Sequence, residues 1–153
     1  MTTNHKLNFE TARRAVVQVG SNVLTAENGL NLKTMRSIAR QICRLVDDDL
    51  EVILVSSGAM ASGVKKIGLA KRPDELTKRR AVAAIGQAGP MMEFEKAFGR
   101  YHQKVARILL TSEDLSSRRR YLNACNTLNT LLSWKVVPIV IDEIEIPMSS
   151  ARI

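Results

Sequence analysis

Glu51-Val52-Ile53-Leu54-Val55-Ser56-Ser57-Gly58-Ala59 is the stretch on which the architecture turns. Val52 to Val55 is an unbroken apolar run rich in β-branched residues, so both of its faces need covering. It then gives way at once to small hydroxyl residues and glycine, which predicts a buried strand ending in a tight turn. Upstream, Leu32, Met35, Ile38, Ala39, Ile42, Leu45 and Val46 recur at intervals of three and four, the spacing of one helix face. Asn31 is placed to cap that helix, and Asp47-Asp48-Asp49 ends it. Further upstream, Ala15-Val16-Val17-Gln18-Val19 reads as another buried strand, closed by Gly20-Ser21-Asn22. The three segments form a β-α-β unit.

The alternation continues downstream. Ala59 to Gly68 reads as a short helix, and Lys71-Arg72-Pro73-Asp74 as a turn. Thr77 to Tyr101 reads as a helix with Ala81, Ala84, Ile85, Met91, Phe94 and Phe98 on its apolar side and a kink or break at Gly89-Pro90. Val105 to Thr111 is a strand, Arg118 to Trp134 a helix, and Val136 to Val140 a strand. The pattern predicts an α/β fold, a mostly parallel sheet with helices on both faces. Residues 1–13 read as a loose lead-in, 14–140 as one domain, and 141–153 as a tail of different character.

Composition narrows the class. At 153 residues, one core burying about 70% of the unfolded surface is expected. With 45% hydrophobic and 25% charged residues, disorder and low complexity are excluded. No apolar run reaches the ~18 residues of a membrane span, and the N-terminus lacks the pattern of a secretory signal, so a cytoplasmic protein without membrane contact is expected. Cys43 and Cys125 are too few and too distant for a disulfide framework or a zinc site, and read as packed side chains. The net charge of +8 favours anionic or phosphorylated partners. Lys65, Lys66, Lys71, Arg72, Lys78, Arg79 and Arg80 form one basic group and Arg118, Arg119 and Arg120 another. Both read as solvated faces, and with few aromatics to stack on bases, nucleic acid is not the expected partner.

In open parallel sheets, ligands gather at the carboxyl ends of the strands. The loops to inspect are therefore Gly20-Ser21-Asn22, Ser56-Ser57-Gly58-Ala59 and Thr111-Ser112. Small residues let backbone approach a ligand, and amides at a strand-to-helix turn point at anions, so these loops suit a phosphate and a carboxylate. Each short motif is equally at home in an ordinary turn. Neither the Gly20-Ser21 loop nor the Ser56-Ser57-Gly58 loop has the spacing of a P-loop or a dinucleotide fingerprint. His5 and His102 have no acidic or thiol partner in sequence, and Asp142, Glu143 and Glu145 read as exposed acids rather than metal ligands. Met91, Met92, Phe94 and Phe98 read as core.

Several ordered blocks carry a family resemblance. Val16-Val17-Gln18-Val19-Gly20-Ser21-Asn22-Val23-Leu24-Thr25 resembles the opening phosphate loop of the glutamate 5-kinases, a branch of the amino acid kinase family. Val55-Ser56-Ser57-Gly58-Ala59-Met60-Ala61-Ser62-Gly63 resembles their substrate loop, and Ala84-Ile85-Gly86-Gln87 their central helix. Leu109-Leu110-Thr111 and Tyr121-Leu122-Asn123-Ala124 are similar to the next strand and helix, so the likeness covers residues 14 to 140. It implies an α/β/α sandwich and the ATP-dependent, Mg²⁺-assisted phosphorylation of the γ-carboxylate of L-glutamate, a step of proline biosynthesis, with proline as a feedback ligand and a homo-oligomer as the working form. By the match, Gly20 and Ser21 face the phosphates, and Ser57, Gly58 and Ala59 hold glutamate.

The chain departs from that pattern at three places. Gln18 stands where the family has a lysine that reaches the ATP phosphates, and Cys125 replaces a polar residue. The family's acidic tracts and nucleotide-binding half are missing after Val140, so residues 141–153 inherit no role. The expectation is an incomplete amino acid kinase domain, the N-terminal portion of such an enzyme, inactive alone and prone to self-association. The alternative is a non-catalytic subunit that senses glutamate or proline, or completes a partner.

Overall fold

The computed structural model describes residues 12–26 and 29–141. In chain order these form β1 (Arg14–Val19), α1 (Ser21–Leu24), β2 (Thr25–Ala26), β3 (Gly29–Leu30), α2 (Leu32–Asp47), β4 (Glu51–Ser56), α3 (Gly58–Ile67), α4 (Leu76–Gly86), α5 (Ala88–Gly99), β5 (Val105–Ile108), α6 (Ser112–Ser116), α7 (Arg118–Ser133) and β6 (Val137–Ile141). Four strands make a parallel sheet in the order β1-β4-β6-β5, and β2 and β3 pair as a small antiparallel ribbon. Most of the lead-in, His5, Asp142, Glu143, Glu145 and the tail beyond Ile141 lie outside the described residues.

Crossover handedness distributes the helices. The step β1-α2-β4 moves across the sheet in one sense and β5-α7-β6 in the other, so right-handed connections put α2 and α7 on opposite faces. Side-chain alternation agrees. Val19, Val52, Leu54, Val137, Ile139 and Ile141 share a core with Met35, Ala39, Ile42, Phe94 and Phe98, whereas Ile53 and Val140 pack with Leu132 of α7. The expected two-sided sandwich is therefore present. Its first strand is the exception: Arg14, Val16 and Gln18 alternate outward, and Val16 stays 48% exposed although Arg14 reaches the Asn129 side-chain oxygen on α7 at 2.9 Å.

Asn31 caps α2 as expected, its Oδ1 accepting the Thr34 N–H at 3.1 Å. The predicted helix from Thr77 to Tyr101 is instead two, parted at Gln87 and not at Gly89-Pro90. Pro90 cannot donate and crowds the carbonyl four residues before it, so the break falls ahead of it and Pro90 sits in the first turn of α5. The buried face of α4 also differs from the expected one. Ala81, Ala84 and Ile85 are exposed, while Val82, Ala83 and Gly86 turn inward to meet α3. That contact needs glycine on both helices: a Cβ on Gly63 would fall on the Val82 carbonyl oxygen, and one on Gly86 on that of Ala59. The strand expected over Val105 to Thr111 stops at Ile108.

Candidate functional site at the carboxyl edge of the sheet

Strand order decides which loops meet. β1 and β4 are neighbours in register Val19 to Ser56, and the Ser57 N–H donates to the Val19 carbonyl at 3.2 Å. The Gly20-Ser21 turn and the Ser57-Gly58-Ala59 turn therefore lie side by side, with the end of β6 at Ile141 flanking Ser56 on the other side. The third loop is set apart. β6 lies between β4 and β5, and Thr111 is engaged in its own helix start, its N–H and hydroxyl donating to Asp114 Oδ2 at 2.9 and 2.8 Å while the Asp114 N–H reaches Thr111 Oγ1 at 3.3 Å. This reciprocal box opens α6, and the spacing Thr111-x-x-Asp114 is its sequence signal.

Gly20 precedes α1 with φ −70° and ψ 158°, a conformation open to any residue, and a Cβ there would meet nothing within 4 Å. Neither backbone strain nor packing within the described residues calls for glycine at this position. Ser21 is half-buried, and its carbonyl accepts the Thr25 hydroxyl at 2.8 Å. Gln18 is exposed, beside Val55 in register, on the outward face of β1.

Ser57 is the N-cap of α3, yet its hydroxyl makes no capping bond. The first-turn amides of a helix have no intrahelical acceptor and sit at the positive end of its dipole. Gly58 and Ala59 are buried in that turn, which carries no acidic residue. Their side-chain positions are set by packing. A Cβ on Gly58 would come within 3.3 Å of Leu24 Cδ1 and 3.5 Å of Pro90 Cγ, and the Ala59 methyl is fully buried. What these two residues can present to a ligand is backbone N–H. Beneath them Ser56 is fully buried and its hydroxyl has no partner. Neither turn contains a titratable side chain, so Gln18, Gly20, Ser21, Ser57, Gly58 and Ala59 offer only neutral donors, the kind that suits phosphate and carboxylate oxygens. They supply no carboxylate to a metal ion.

The comparison with known families falls on this same span. The amino acid kinase family profile matches residues 13–143. This chain belongs to the amino acid kinase family. It is 50% identical over 129 residues to a glutamate 5-kinase of Thermus thermophilus and 48% identical over 134 residues to one of Meiothermus ruber. These matches cover 84% and 88% of this chain but 35% of each relative, so the chain spans about a third of the length of the curated relatives it matches. Among solved structures, an aspartate kinase from Synechocystis superposes with a TM-score of 0.53 at 13% identity, covering 85% of this chain and 22% of that one. A carbamate kinase from Giardia gives 0.55 at 12% identity, covering 84% and 59%. At such identities the likeness concerns the fold, and it is the parallel sheet described above.

Sequence reasoning located the two adjacent turns but not the glycines that set them. Gly63 and Gly86 let α4 press against α3 directly behind the Ser57 turn, and isolated glycines inside helical patterns are the signal that could have found them. The basic residues Lys65, Lys66, Lys71, Lys78 and Arg80 are exposed and Arg79 half-buried, in line with a largely solvated face. Cys43 is buried, with desolvation and then the Asp47 charge raising its thiol pKa, whereas Cys125 is half-buried. No helix among the described residues is long and apolar enough to cross a membrane.

Proposed function

We propose that this chain carries the glutamate-holding part of a glutamate 5-kinase, in which ATP phosphorylates the γ-carboxylate of L-glutamate. The relatives at 48–50% identity bear that name. The observation that carries the reading to residues is the pairing of Gly20, a glycine with no conformational or packing need, with the uncapped start of α3 on the adjacent strand. A γ-carboxylate is already nucleophilic at neutral pH, so the site has no need of a general base. Its work is to hold two anions in line and to offset the charge of the transferring group. Ser57 and the amides of Gly58 and Ala59 receive glutamate, and Gly20 and Ser21 receive phosphate oxygens. When bound, Mg²⁺ supplies the positive charge that these neutral residues lack.

Gln18 bears on rate. An amide hydrogen-bonds a phosphate but does not neutralise it, so this chain gives up a cation at the place where charge builds. With that cation gone, the chain alone is expected to bind glutamate without turnover. Trapping γ-glutamyl phosphate with hydroxylamine tests this, alongside a thermal melt with and without L-glutamate. A raised melting temperature with no hydroxamate is the expected result. No glutamate-dependent shift would remove the assignment of Ser57, Gly58 and Ala59, and robust ATP-dependent hydroxamate would remove the inactivity.

A further inference from the structure

The helical layer formed by α2 and α5 carries a row of cations that lies outside both basic groups read from the sequence. On α2, Lys33, Arg36, Arg40 and Arg44 follow one another at intervals of three and four, so they stand along one stripe of the helix, and all four are exposed. The buried side of α2 is taken by Met35, Ala39, Ile42, Cys43 and Val46, and packing makes no use of the row. The groove between the two helices brings Arg36 together with Lys96 and Arg100 of the α5 side. Lys96 is paired with Glu93 at 2.9 Å, whereas Arg100 and the four residues of the row have no acidic partner among the described residues.

Such a row works against its own helix. Lys33 and Arg36, Arg36 and Arg40, and Arg40 and Arg44 are like charges one turn apart, and each such pair is destabilising. Lys33 adds to this, because it lies at the positive end of the helix dipole in a first turn that has no acidic residue. The first acid of α2 is Asp47, its last residue. A polyanion lying along the stripe would offset all of these repulsions at once, and a basic stripe along one helix of a chain with net charge +8 is the electrostatic footprint of phosphate-backbone binding.

We propose that the α2 row binds the phosphate backbone of duplex nucleic acid without regard to sequence. The row runs ~16 Å along the helix axis at 1.5 Å per residue, the rise of about five base pairs, with a cation at every turn. α2 has no aromatic residue and none lines the groove, so unstacked bases find no platform, which favours a duplex with its bases turned inward over a single strand. The apolar side chains that an interfacial helix would press into a bilayer are here in the core, which disfavours a lipid surface. None of these residues belongs to the Gly20 and Ser57 turns, so the proposal does not depend on the kinase reading.

Fluorescence anisotropy of the whole chain with two short DNA duplexes of unrelated sequence tests it. Both should bind with equal affinity, and the logarithm of the association constant should fall with the logarithm of salt concentration with a slope of about −4, for four to five phosphates contacted. Arg36→Gln with Arg40→Gln should reduce that slope by about 2 and weaken binding roughly tenfold or more at low salt, and Lys33→Gln with Arg44→Gln should do the same from the two ends of the row. Arg118→Gln with Arg119→Gln, which removes the same charge from exposed positions on α7, should leave slope and affinity within about twofold of the parent. Absence of salt-dependent duplex binding, or an equal loss in the α7 variant, would overturn the assignment. Tighter binding to a single strand, to phosphatidylserine vesicles or to poly-L-glutamate than to the duplex would overturn it as well.

Discussion

Four glycines at the residue scale illustrate how one residue type serves unrelated ends. Gly68 ends α3 in the left-handed region at φ 79° with open space around it, so Gly68→Ala carries only the backbone term and should destabilise by about 1 kcal/mol in urea unfolding. Gly63 and Gly86 lie where α3 and α4 touch through backbone. Gly86→Ala forces that contact apart and should lose about 3 kcal/mol by the same assay. Gly20 has neither constraint. Gly20→Ala should raise stability by about 0.4–1 kcal/mol through the unfolded chain, while reducing the stabilisation that inorganic phosphate or ATP confers in a thermal melt. A loss of stability instead would make Gly20 a structural residue and weaken its place in the proposed phosphate site. Ser56 has a buried hydroxyl without a partner, so Ser56→Ala should leave the melting temperature equal or higher.

Helix starts carry the predictions at the element scale. The Asn31 side chain satisfies one of the orphan amides of α2, and Asn31→Ala should lower unfolding free energy by about 1 kcal/mol. The start of α6 depends on pH through Asp114. Hydrogen bonds from the Thr111 N–H and hydroxyl hold its carboxyl below the usual range, with Arg120 adding a smaller share and slight desolvation opposing. A carboxylate with a lowered folded pKa contributes stability that is present above its unfolded value, near ~3.9, and is lost as pH falls through the folded one. The urea midpoint should therefore drop less steeply below about pH 4 in Asp114→Ala than in the parent chain. Equal acid limbs in the two proteins would mean that the box is broken in solution.

Seen whole, the described residues form a sheet with two open edges. β1 and β5 each have a neighbour on one side only among the described residues, and Val16 and Leu109 on those strands or just past them are 48% and 50% exposed. Trp134 at the end of α7 is 69% exposed. Unpaired strand edges with apolar neighbours favour association of chains. Sedimentation velocity should find concentration-dependent oligomers, and Val16→Lys, a charge on the β1 edge, should shift the distribution toward monomer. A sharp monomer in the parent chain across a wide concentration range would show that the edges are otherwise protected.

The amino-acid sequence by itself determined the parallel α/β class, because Val52 to Val55 and Val137 to Val140 carry enough apolar surface to require cover on both sides, whatever they pack against. It also located the turns at Gly20 and Ser57, whose small residues follow directly on strand ends. Helix starts with a local signature were equally legible: Asn31 was read, and the Thr111-Asp114 box was there to be read. Tertiary structure decided the rest. Which turns became neighbours depended on strand order, a property of crossovers and not of any local run. The split at Gln87 and the inward turn of Val82 and Gly86 came from the fit of α4 against α3, a contact between distant segments. Where the β4-β6 ladder begins was settled by Pro138, whose missing donor removes a bond only once a partner strand lies beside it.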